Sequence, residues 1–242
     1  MRLQILINAV VVILSIISIT QASQASEFNA DDISSFHRAI AEAEADPSSS
    51  HKININGDIV LDSSIKEAVS LELAGSNNEA FYNFVLNGNT FTYDGAGKSS
   101  KISDLNIISN AAGSGINVNN QTFTVDNTHF SGDLSSNRNS FLSNVGGKLV
   151  ITDSDFQNYK NVFEGGAINN KGGGSLYVSN TDFLNNSASN GSALYITSGS
   201  ADIYNSDFLN NYASSKGGAA YISGGSLNLT DSNIKNNIAQ SQ

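Results

Sequence analysis

Aspartates recur through the second half of the chain and are its best candidates for chemistry. Clustered carboxylates that hold Ca²⁺, beside an arginine or lysine base, are what a polysaccharide lyase requires. The candidates are Asp153, Asp155, Asp182, Asp202 and Asp207. They stand at corner positions of a repeat, which favours turn capping and a solvated face. The alternative is weak Ca²⁺ binding along the column Asp155, Asp182 and Asp207.

Few residues could serve as the catalytic base beside these carboxylates. Arg2 lies in a predicted leader and Arg38 in a predicted helix, so only Arg138, in a predicted loop, could serve a lyase. His129 stands alone at a predicted corner and is interpreted as a turn residue. The remaining histidines and the glycine pairs form neither a Ser-His-Asp set nor a phosphate-binding loop. We therefore expect no catalytic residue, no cofactor and no metal centre.

The carboxylates belong to a short phrase that the sequence repeats five times. Each copy ends on an apolar residue, and the steps between these residues are 26, 27, 25 and 26. Apolar residues seven and five positions earlier predict a short half-buried strand, and an Asx-Ser/Thr pair after it predicts a corner. The five final residues are Phe130, Phe156, Phe183, Phe208 and Ile234. A fixed period of this length is typical of a solenoid.

A second apolar strip follows in three of these periods, at 165–168, 191–196 and 217–222. One period thus holds about three short strands and has almost no helical periodicity. The pattern predicts an all-β fold, a right-handed single-stranded parallel β-helix with about 26 residues per coil. Neighbouring coils would stack about 4.8 Å apart, so that like residues form ladders.

The first half of the chain is less regular but fits the same architecture. Degenerate copies upstream of residue 120 bring the count to roughly seven coils over 52–239. Before them, 31–45 predicts a helix, because Asp31 or Asp32 can cap it and apolar residues share one face. That face holds Ile33, Phe36, Ile40 and Ala41. A helix laid over the first coil would cover its open strand edge.

Composition and the N-terminus indicate an exported protein. The chain has no Cys, which excludes disulfides and thiolate metal sites. Residues 1–25 are typical of a secretory signal, with an uncleaved membrane anchor as the alternative. Cleavage would leave 11 basic against 22 acidic side chains, a formal charge of about −11. Such a surface is a poor partner for nucleic acid or anionic lipid. No later segment is expected to span a bilayer as a helix.

Two motifs of the repeat resemble those of a known family. Gly165-Gly166-Ala167-Ile168 is one motif, and the run Phe-Leu-Asn-Asn that begins at Phe183 and again at Phe208 is the other. They are similar to the GGA[ILV] and FxxN repeats of chlamydial-type polymorphic outer membrane proteins, over residues 120–240 or so. Gly191-Ser192-Ala193-Leu194 is a near-copy of the first motif, as is the copy that begins at Gly217. The residues that carry the resemblance are Gly165, Gly166, Ala167, Ile168, Phe183, Asn186, Phe208, Asn211, Gly217, Gly218 and Ala219.

The resemblance implies a fold, a cellular location and a function. Proteins of that family are autotransporters, whose right-handed β-helix passenger is displayed at the bacterial surface by a C-terminal β-barrel and acts as an adhesin. It implies that this chain is a pectin-lyase-like passenger, secreted or at the outer membrane, which binds a protein or glycan receptor on another cell surface. Because no barrel precedes Gln242, we expect a C-terminally truncated passenger. The open last coil is a candidate for self-association.

The expected domains are a signal peptide at 1–25, a capping helix and linker at 26–50, and a β-helix at 51–242. Exposed tyrosines are the expected binding surface, because Tyr combines apolar area with a polar end. The candidates are Tyr177, Tyr195, Tyr204 and Tyr221. Alternatively, these rings stack and only stiffen the rod. Two other functions stay open: a secreted carbohydrate-active or carbohydrate-binding β-helix, and a structural stalk.

Overall fold

The structure, a computed structural model, describes residues 25–75, 81–133, 139–161 and 163–240. Nearly all of the predicted signal peptide (1–24), Arg138 and the final two residues lie outside this part of the chain. No helix within it is long and apolar enough to cross a bilayer.

Each copy of the repeated phrase folds as strand, corner and strand. In the copy at 175–184, the side chains alternate between core and solvent, and Asn180 then turns the chain with φ of 50°. Thr181 Oγ1 donates to the Ser179 carbonyl across the corner (2.9 Å), and Phe183 points back into the core. Asn and Asp tolerate this left-handed conformation better than other non-glycine residues. The corner residues with positive φ are Asn127, Asp153, Asn180, Asn205 and Asp231.

The strands form three long parallel sheets and one short one. In the first sheet they are β1 (Ser26–Ala30), β2 (Ser50–Ile55), β5 (Ser70–Gly75), β8 (Ser99–Ser103), β11 (Thr122–Asp126), β14 (Lys148–Thr152), β17 (Ser175–Ser179), β21 (Ser200–Tyr204) and β25 (Ser226–Thr230). In the second they are β4 (Ile65–Glu67), β7 (Thr90–Asp94), β10 (Gly115–Asn119), β13 (Leu142–Val145), β16 (Ile168–Lys171), β20 (Leu194–Ile196) and β24 (Ala220–Ile222).

In the third sheet the strands are β3 (Ile59–Val60), β6 (Tyr82–Val85), β9 (Leu105–Ser109), β12 (His129–Gly132), β15 (Asp155–Gln157), β18 (Asp182–Leu184), β22 (Asp207–Leu209) and β26 (Asn233–Lys235). The short fourth sheet contains β19 (Ser187–Asn190), β23 (Tyr212–Lys216) and β27 (Ile238–Ala239). Each strand pairs in parallel with its counterpart in the next coil. The predicted parallel β-helix is confirmed, with about eight turns instead of roughly seven.

One column of the core is a stack of identical side chains. The rings of Phe130, Phe156, Phe183 and Phe208 are all buried and nearly parallel, with centroids 4.3, 5.4 and 4.7 Å apart in succession. Ile234 continues the column at the last coil and is 60% exposed. Because like residues lie above like, each coil completes the packing of its neighbours.

The first coil is closed by a strand and a helix. Helix α1 (Ile33–Glu44) begins with a capping box between Asp32 and Ser35, which confirms the predicted cap at its second candidate residue. Its buried Phe36 packs edge-on against Phe84, with the ring centroids 5.3 Å apart. The prediction of its inner face was wrong at Ala41, which is exposed and follows the buried Ile40 at a helix turn. Strand β1 pairs with β2 along its whole length and was not predicted from the sequence.

Candidate functional site

Three of the predicted carboxylates form one column on the third sheet. Asp155, Asp182 and Asp207 pair in register as the first residues of their strands. Burial, and then the charges of Asp207 and Asp155, raise the pKa of Asp182. Successive carboxylates are separated by one strand spacing, about 4.8 Å, so they form a line and do not surround a point. Among the described residues, no group of three or more His, Asp or Glu is placed to hold a metal ion, and this holds for the column of Asp155, Asp182 and Asp207 as well.

The other two aspartates lie apart from this column. Asp153 occupies a left-handed corner, where its Oδ1 accepts a hydrogen bond from Asn180 Nδ2 (2.9 Å). Asp202 lies on β21 of the first sheet, between Tyr177 and Asn228. The five candidates are therefore divided among two sheets and a corner. This arrangement agrees with the interpretation of Asp153 as a turn residue and gives no shared catalytic cleft.

His129 does not stand alone, contrary to the prediction. It is the first residue of β12, and its Nδ1 contacts Oδ2 of Asp155 in the next coil. Its ring also packs edge-on against Phe81, with centroids 4.7 Å apart. In covalent catalysis, a His-Asp pair activates an adjacent nucleophilic side chain. On this column the described neighbours of the pair are Asn106 and Asp182, and neither is a nucleophile of that kind.

The remaining charged candidates are dispersed. His37 on α1 contacts Asp62, with Nε2 and Oδ1 3.2 Å apart, and both side chains are largely exposed. The His51 ring contacts the Asp46 carbonyl at 2.8 Å, so it secures the segment that leaves the helix. Arg138 lies outside the described residues. Among the described residues, the structure therefore brings together only the column of Asp155, Asp182 and Asp207 and the contact of His129 with the first of them.

The FxxN motif builds a ladder of buried amides. Asn186 and Asn211 are fully buried. Asn186 Nδ2 donates to the Phe156 carbonyl (2.8 Å), and Asn211 Nδ2 donates to that of Phe183 (2.9 Å). The Asn186 backbone N–H donates to Asn211 Oδ1 (2.9 Å), so each amide bridges two coils. A buried polar group must be paired to be tolerated, and these are. The motif residues thus act in the structure of the solenoid.

The GGA motif is also structural. Gly165 has φ of 65°, and a Cβ at Gly166 would lie 1.9 Å from the Ser192 carbonyl oxygen of the next coil. Glycine is needed at Gly166 because another backbone passes at contact distance. Ala167 and Ile168 then enter the core, where both are fully buried. The motif marks a corner at which successive coils touch.

Two of the four predicted tyrosines form a pair of rings on the outer face of the first sheet, in which Tyr177 is exposed and Tyr204 is half-buried. Tyr177 is 40% exposed, and its ring centroid is 5.5 Å from that of Tyr204. Val150 and Asp202 flank Tyr177 on the adjacent coils. We call Tyr177, Tyr204, Val150 and Asp202 the tyrosine face. It combines apolar ring area, phenol hydroxyls and one carboxylate, which are properties common in contact surfaces.

The other predicted pair is less accessible. Tyr195 is only 6% exposed, so the prediction that it presents its ring to solvent was wrong. Its ring stacks on Tyr221 (5.6 Å, 20°), and its strand neighbour on the other coil is Asn169. Lys216 in turn lies 5.6 Å from the centroid of the Tyr221 ring. The alternation of side chains along a strand predicted which face of the sheet Tyr195 lies on. It did not predict that side chains of the neighbouring coils bury the ring there.

Sequence reasoning missed a pair of titratable groups inside the first coils. Glu67 is fully buried, and neither of its carboxylate oxygens has a hydrogen-bond partner among the described residues. Tyr93, its neighbour on β7, is also fully buried with an unpartnered hydroxyl within the same set. Burial, reinforced by the Glu44 carboxyl, raises the pKa of Glu67 to about 8. The alternation of Ile65, Lys66 and Glu67 placed Glu67 inward, and this was the available signal.

The last described coil exposes apolar side chains. Ile222, Ile234 and Ile238 are 39%, 60% and 57% exposed. This is the surface for which self-association was predicted, and that partner stays a prediction.

Comparisons of the chain with protein-family models, with curated proteins and with solved structures each return no match.

Proposed function

We propose that this protein is an exported β-helix that acts at the cell surface as an adhesin-like passenger, without chemistry of its own. The observation that carries the proposal is the tyrosine face on a rigid parallel solenoid. The GGA and FxxN motifs, which resemble those of chlamydial-type polymorphic outer membrane proteins, also support it.

Rigidity is the first physical element of the proposal. The column of stacked Phe rings and the bridging amides of Asn186 and Asn211 tie every coil of the C-terminal half to its neighbours. A binding surface on such a support loses little conformational freedom when a partner docks, so more of the contact energy becomes affinity. Its residues are therefore held in place before a partner arrives.

The outward residues are the second element. Tyr177 and Tyr204 present their rings beside the Asp202 carboxylate, and Val150 extends the apolar area. Tyrosines of this kind contribute large contact area with few rotatable bonds. The partner that suits this face is a protein or glycan receptor with an apolar patch and a hydrogen-bond donor for Asp202. The strongly acidic chain disfavours nucleic acid as a partner.

A cell-binding assay tests the proposal. Fluorescently labelled full-length protein is incubated with cultured epithelial cells and with bacteria, and bound protein is measured by flow cytometry. The double variant Tyr177→Ala/Tyr204→Ala should bind about tenfold or more weakly, as expected for the loss of an aromatic hot spot. Tyr212→Ala is the matched control, because Tyr212 is 38% exposed and lies on the fourth sheet.

Two outcomes would contradict the proposal. One is binding no greater than that of an unrelated β-helix, and the other is equal loss in the double variant and in Tyr212→Ala. Export is tested separately by N-terminal sequencing of protein recovered from the cell surface or medium. Cleavage after Ala25 is expected, whereas an intact Met1 would contradict the cleaved signal peptide.

A further inference from the structure

A second candidate site lies on the outer face of the second sheet, away from the tyrosine face. It is a polar pocket of about 150 Å³ beside the loop between β15 and β16. Asn117, Ser143 and Asn169 form its floor, since they are paired residues of β10, β13 and β16. Phe163 and Glu164 contribute from the loop, and Lys171 from the end of β16. We call these six residues the polar pocket.

The loop that borders the pocket is held firmly. Asn161 is buried, and its Nδ2 donates to the carbonyls of Glu164 (2.9 Å) and Gly165 (3.1 Å). Asn161 Oδ1 accepts from the Phe163 backbone N–H (2.9 Å), and the Phe163 carbonyl accepts from Ser189 N–H (2.7 Å). The Phe163 ring nevertheless remains 55% exposed. A fixed backbone therefore presents an aromatic ring at the pocket.

The polar groups of the floor are poorly paired. Ser143 is only 7% exposed, and its hydroxyl makes no hydrogen bond among the described residues. The Asn169 side-chain amide has no partner in that part of the chain either, and its Oδ1 is buried. Asn117 donates through Nδ2 to Thr92 Oγ1 (3.3 Å), which leaves its Oδ1 available. Asn169 Oδ1 is thus a buried acceptor without a partner among the described residues, and native proteins rarely leave such a group unpaired. The Ser143 hydroxyl and Asn117 Oδ1 beside it can bond a ligand together with this atom.

The charges at the pocket constrain what that ligand can be. Glu164 and Lys171 each make no ion pair among the described residues, so one carboxylate and one ammonium are both available. An anion would be opposed by Glu164 and a cation by Lys171. An apolar ligand would leave the amides and the hydroxyl without hydrogen-bond partners, which is unfavourable for polar groups removed from water.

We propose that the polar pocket binds one ring of a neutral saccharide. Amides, a hydroxyl, a carboxylate and an ammonium together supply both donors and acceptors to a ring that carries hydroxyls on most carbons. The exposed Phe163 ring offers an apolar surface to the C–H face of the sugar. The site is built from three coils and a loop and is independent of the tyrosine face.

An NMR titration of the full-length ¹⁵N-labelled protein tests the proposal. Glucose, galactose, mannose and N-acetylglucosamine are added separately, and amide shifts are followed. At least one sugar should shift the signals of Asn117, Ser143 and Asn169 in a saturable way. Phe163→Ala and Ser143→Ala should each weaken that binding about tenfold, and Tyr212→Ala should leave it unchanged. Both substitutions remove surface or pocket atoms only, and unchanged amide signals elsewhere verify the fold.

The proposal is overturned if none of the four sugars shifts these signals, or if the shifts cluster elsewhere. It is also overturned if Phe163→Ala binds as tightly as the parent protein. Acetate and glycine serve as further probes, and tighter binding of either would replace the saccharide by an anion or a zwitterion. The double variant Tyr177→Ala/Tyr204→Ala leaves the polar pocket intact. If that variant loses cell binding but still binds sugar, the two sites act independently, so failure of one proposal can be distinguished from failure of the other.

Discussion

The described coils from residue 122 onward share the column that runs from Phe130 to Ile234, whereas the described coils before residue 119 are closed in less regular ways. The regular coils place Phe183 and its equivalents on one column and Asn186 and its equivalents on another. The irregular coils instead contain the buried Glu67 and Tyr93 and are covered by α1. Repetition therefore stabilises the core through many equivalent contacts, whereas the irregular end depends on a few individual ones.

The outer faces differ in the same way. On the first sheet, the irregular coils carry an alternating row of charges along a groove of about 400 Å³, formed by Glu27, Lys52, Glu72 and Lys101. Farther along the same row, the regular coils carry Val150 and Tyr177. Opposite charges directly across strands support pairing. The charged row thus stabilises the pairing of the irregular coils with one another. Val150 and Tyr177 on the regular coils instead provide apolar area for contact with a partner.

The substitution Phe183→Ala should break the regular half most strongly. It removes the buried ring that stacks on both Phe156 and Phe208, and replacement of a buried Phe by Ala costs roughly 3–5 kcal/mol of unfolding free energy. Urea denaturation followed by circular dichroism measures the effect. Ile234→Ala is the control on the same column, and it should cost less than about 1 kcal/mol because Ile234 is largely exposed. Equal costs for the two variants would contradict the idea that the column stabilises the core.

A change of pH should act on the irregular half. Burial, with the Glu44 carboxyl as a second cause, raises the pKa of Glu67 from 4.5 to about 8. The folded state therefore holds the Glu67 proton more tightly than the unfolded state, and this stability contribution is lost as the pH rises through about 8. The titratable groups around Glu67 are His37 and Glu44 on α1, the adjacent Lys66, which pairs with Asp94, and Tyr93 on β7.

Between pH 6 and pH 9, the protein should lose about 3 kcal/mol of unfolding free energy through this group. Glu67→Gln keeps the shape of the side chain and removes its charge, so that variant should lose much less over the same range. Denaturation midpoints at the two pH values measure the difference. Glu72→Gln, an outward carboxylate on β5, is the matched control and should behave like the parent. A parent protein whose stability does not fall with pH would contradict the buried ionisation.

The substitution Asp32→Ala should have the smallest effect and should sharpen the boundary between the two halves. It removes the side chain that accepts from the Ser35 backbone N–H (2.8 Å), and loss of an N-cap costs about 1 kcal/mol. Native-state hydrogen exchange should accelerate in α1 and β1 and stay unchanged in β17 to β22, since contacts of a solenoid are local. Asp31→Ala serves as the control, because the side chain of Asp31 takes no part in the cap. Acceleration throughout the chain would contradict local unfolding.

The regular half could be predicted from the sequence because each column repeats one residue type at a nearly constant spacing. The Phe column, the Asx corners and the coil length all follow from that period. The irregular half offered no such redundancy. Glu67 lies in a three-residue strand at the end of the second sheet, and the sequence of that strand does not reveal the helix beside it. The exposure of Tyr195 was predicted wrongly because burial there depends on Tyr221, from another coil.

The candidate sites were predictable only in part for the same physical reason. Tyr177 and Tyr204 could be found from alternation within their own strands. The polar pocket could not, because Ser143, Phe163 and Asn169 carry no shared motif and meet only when three coils and a loop are stacked. A site assembled across coils has no local sequence signature, even in a chain whose scaffold is periodic.

The register between coils determines which deletions and insertions in the gene preserve the fold. Leu184 pairs with Leu209, and Asn186 and Asn211 occupy equivalent places one coil apart. Excision of residues 184–208 would bring Leu209 into the position of Leu184, and every later side chain would keep its column. Loss of one residue within a strand would instead turn the following side chains to the opposite face. Recombination between copies can therefore shorten or lengthen the rod by whole coils, so the heritable unit of this molecule is the coil.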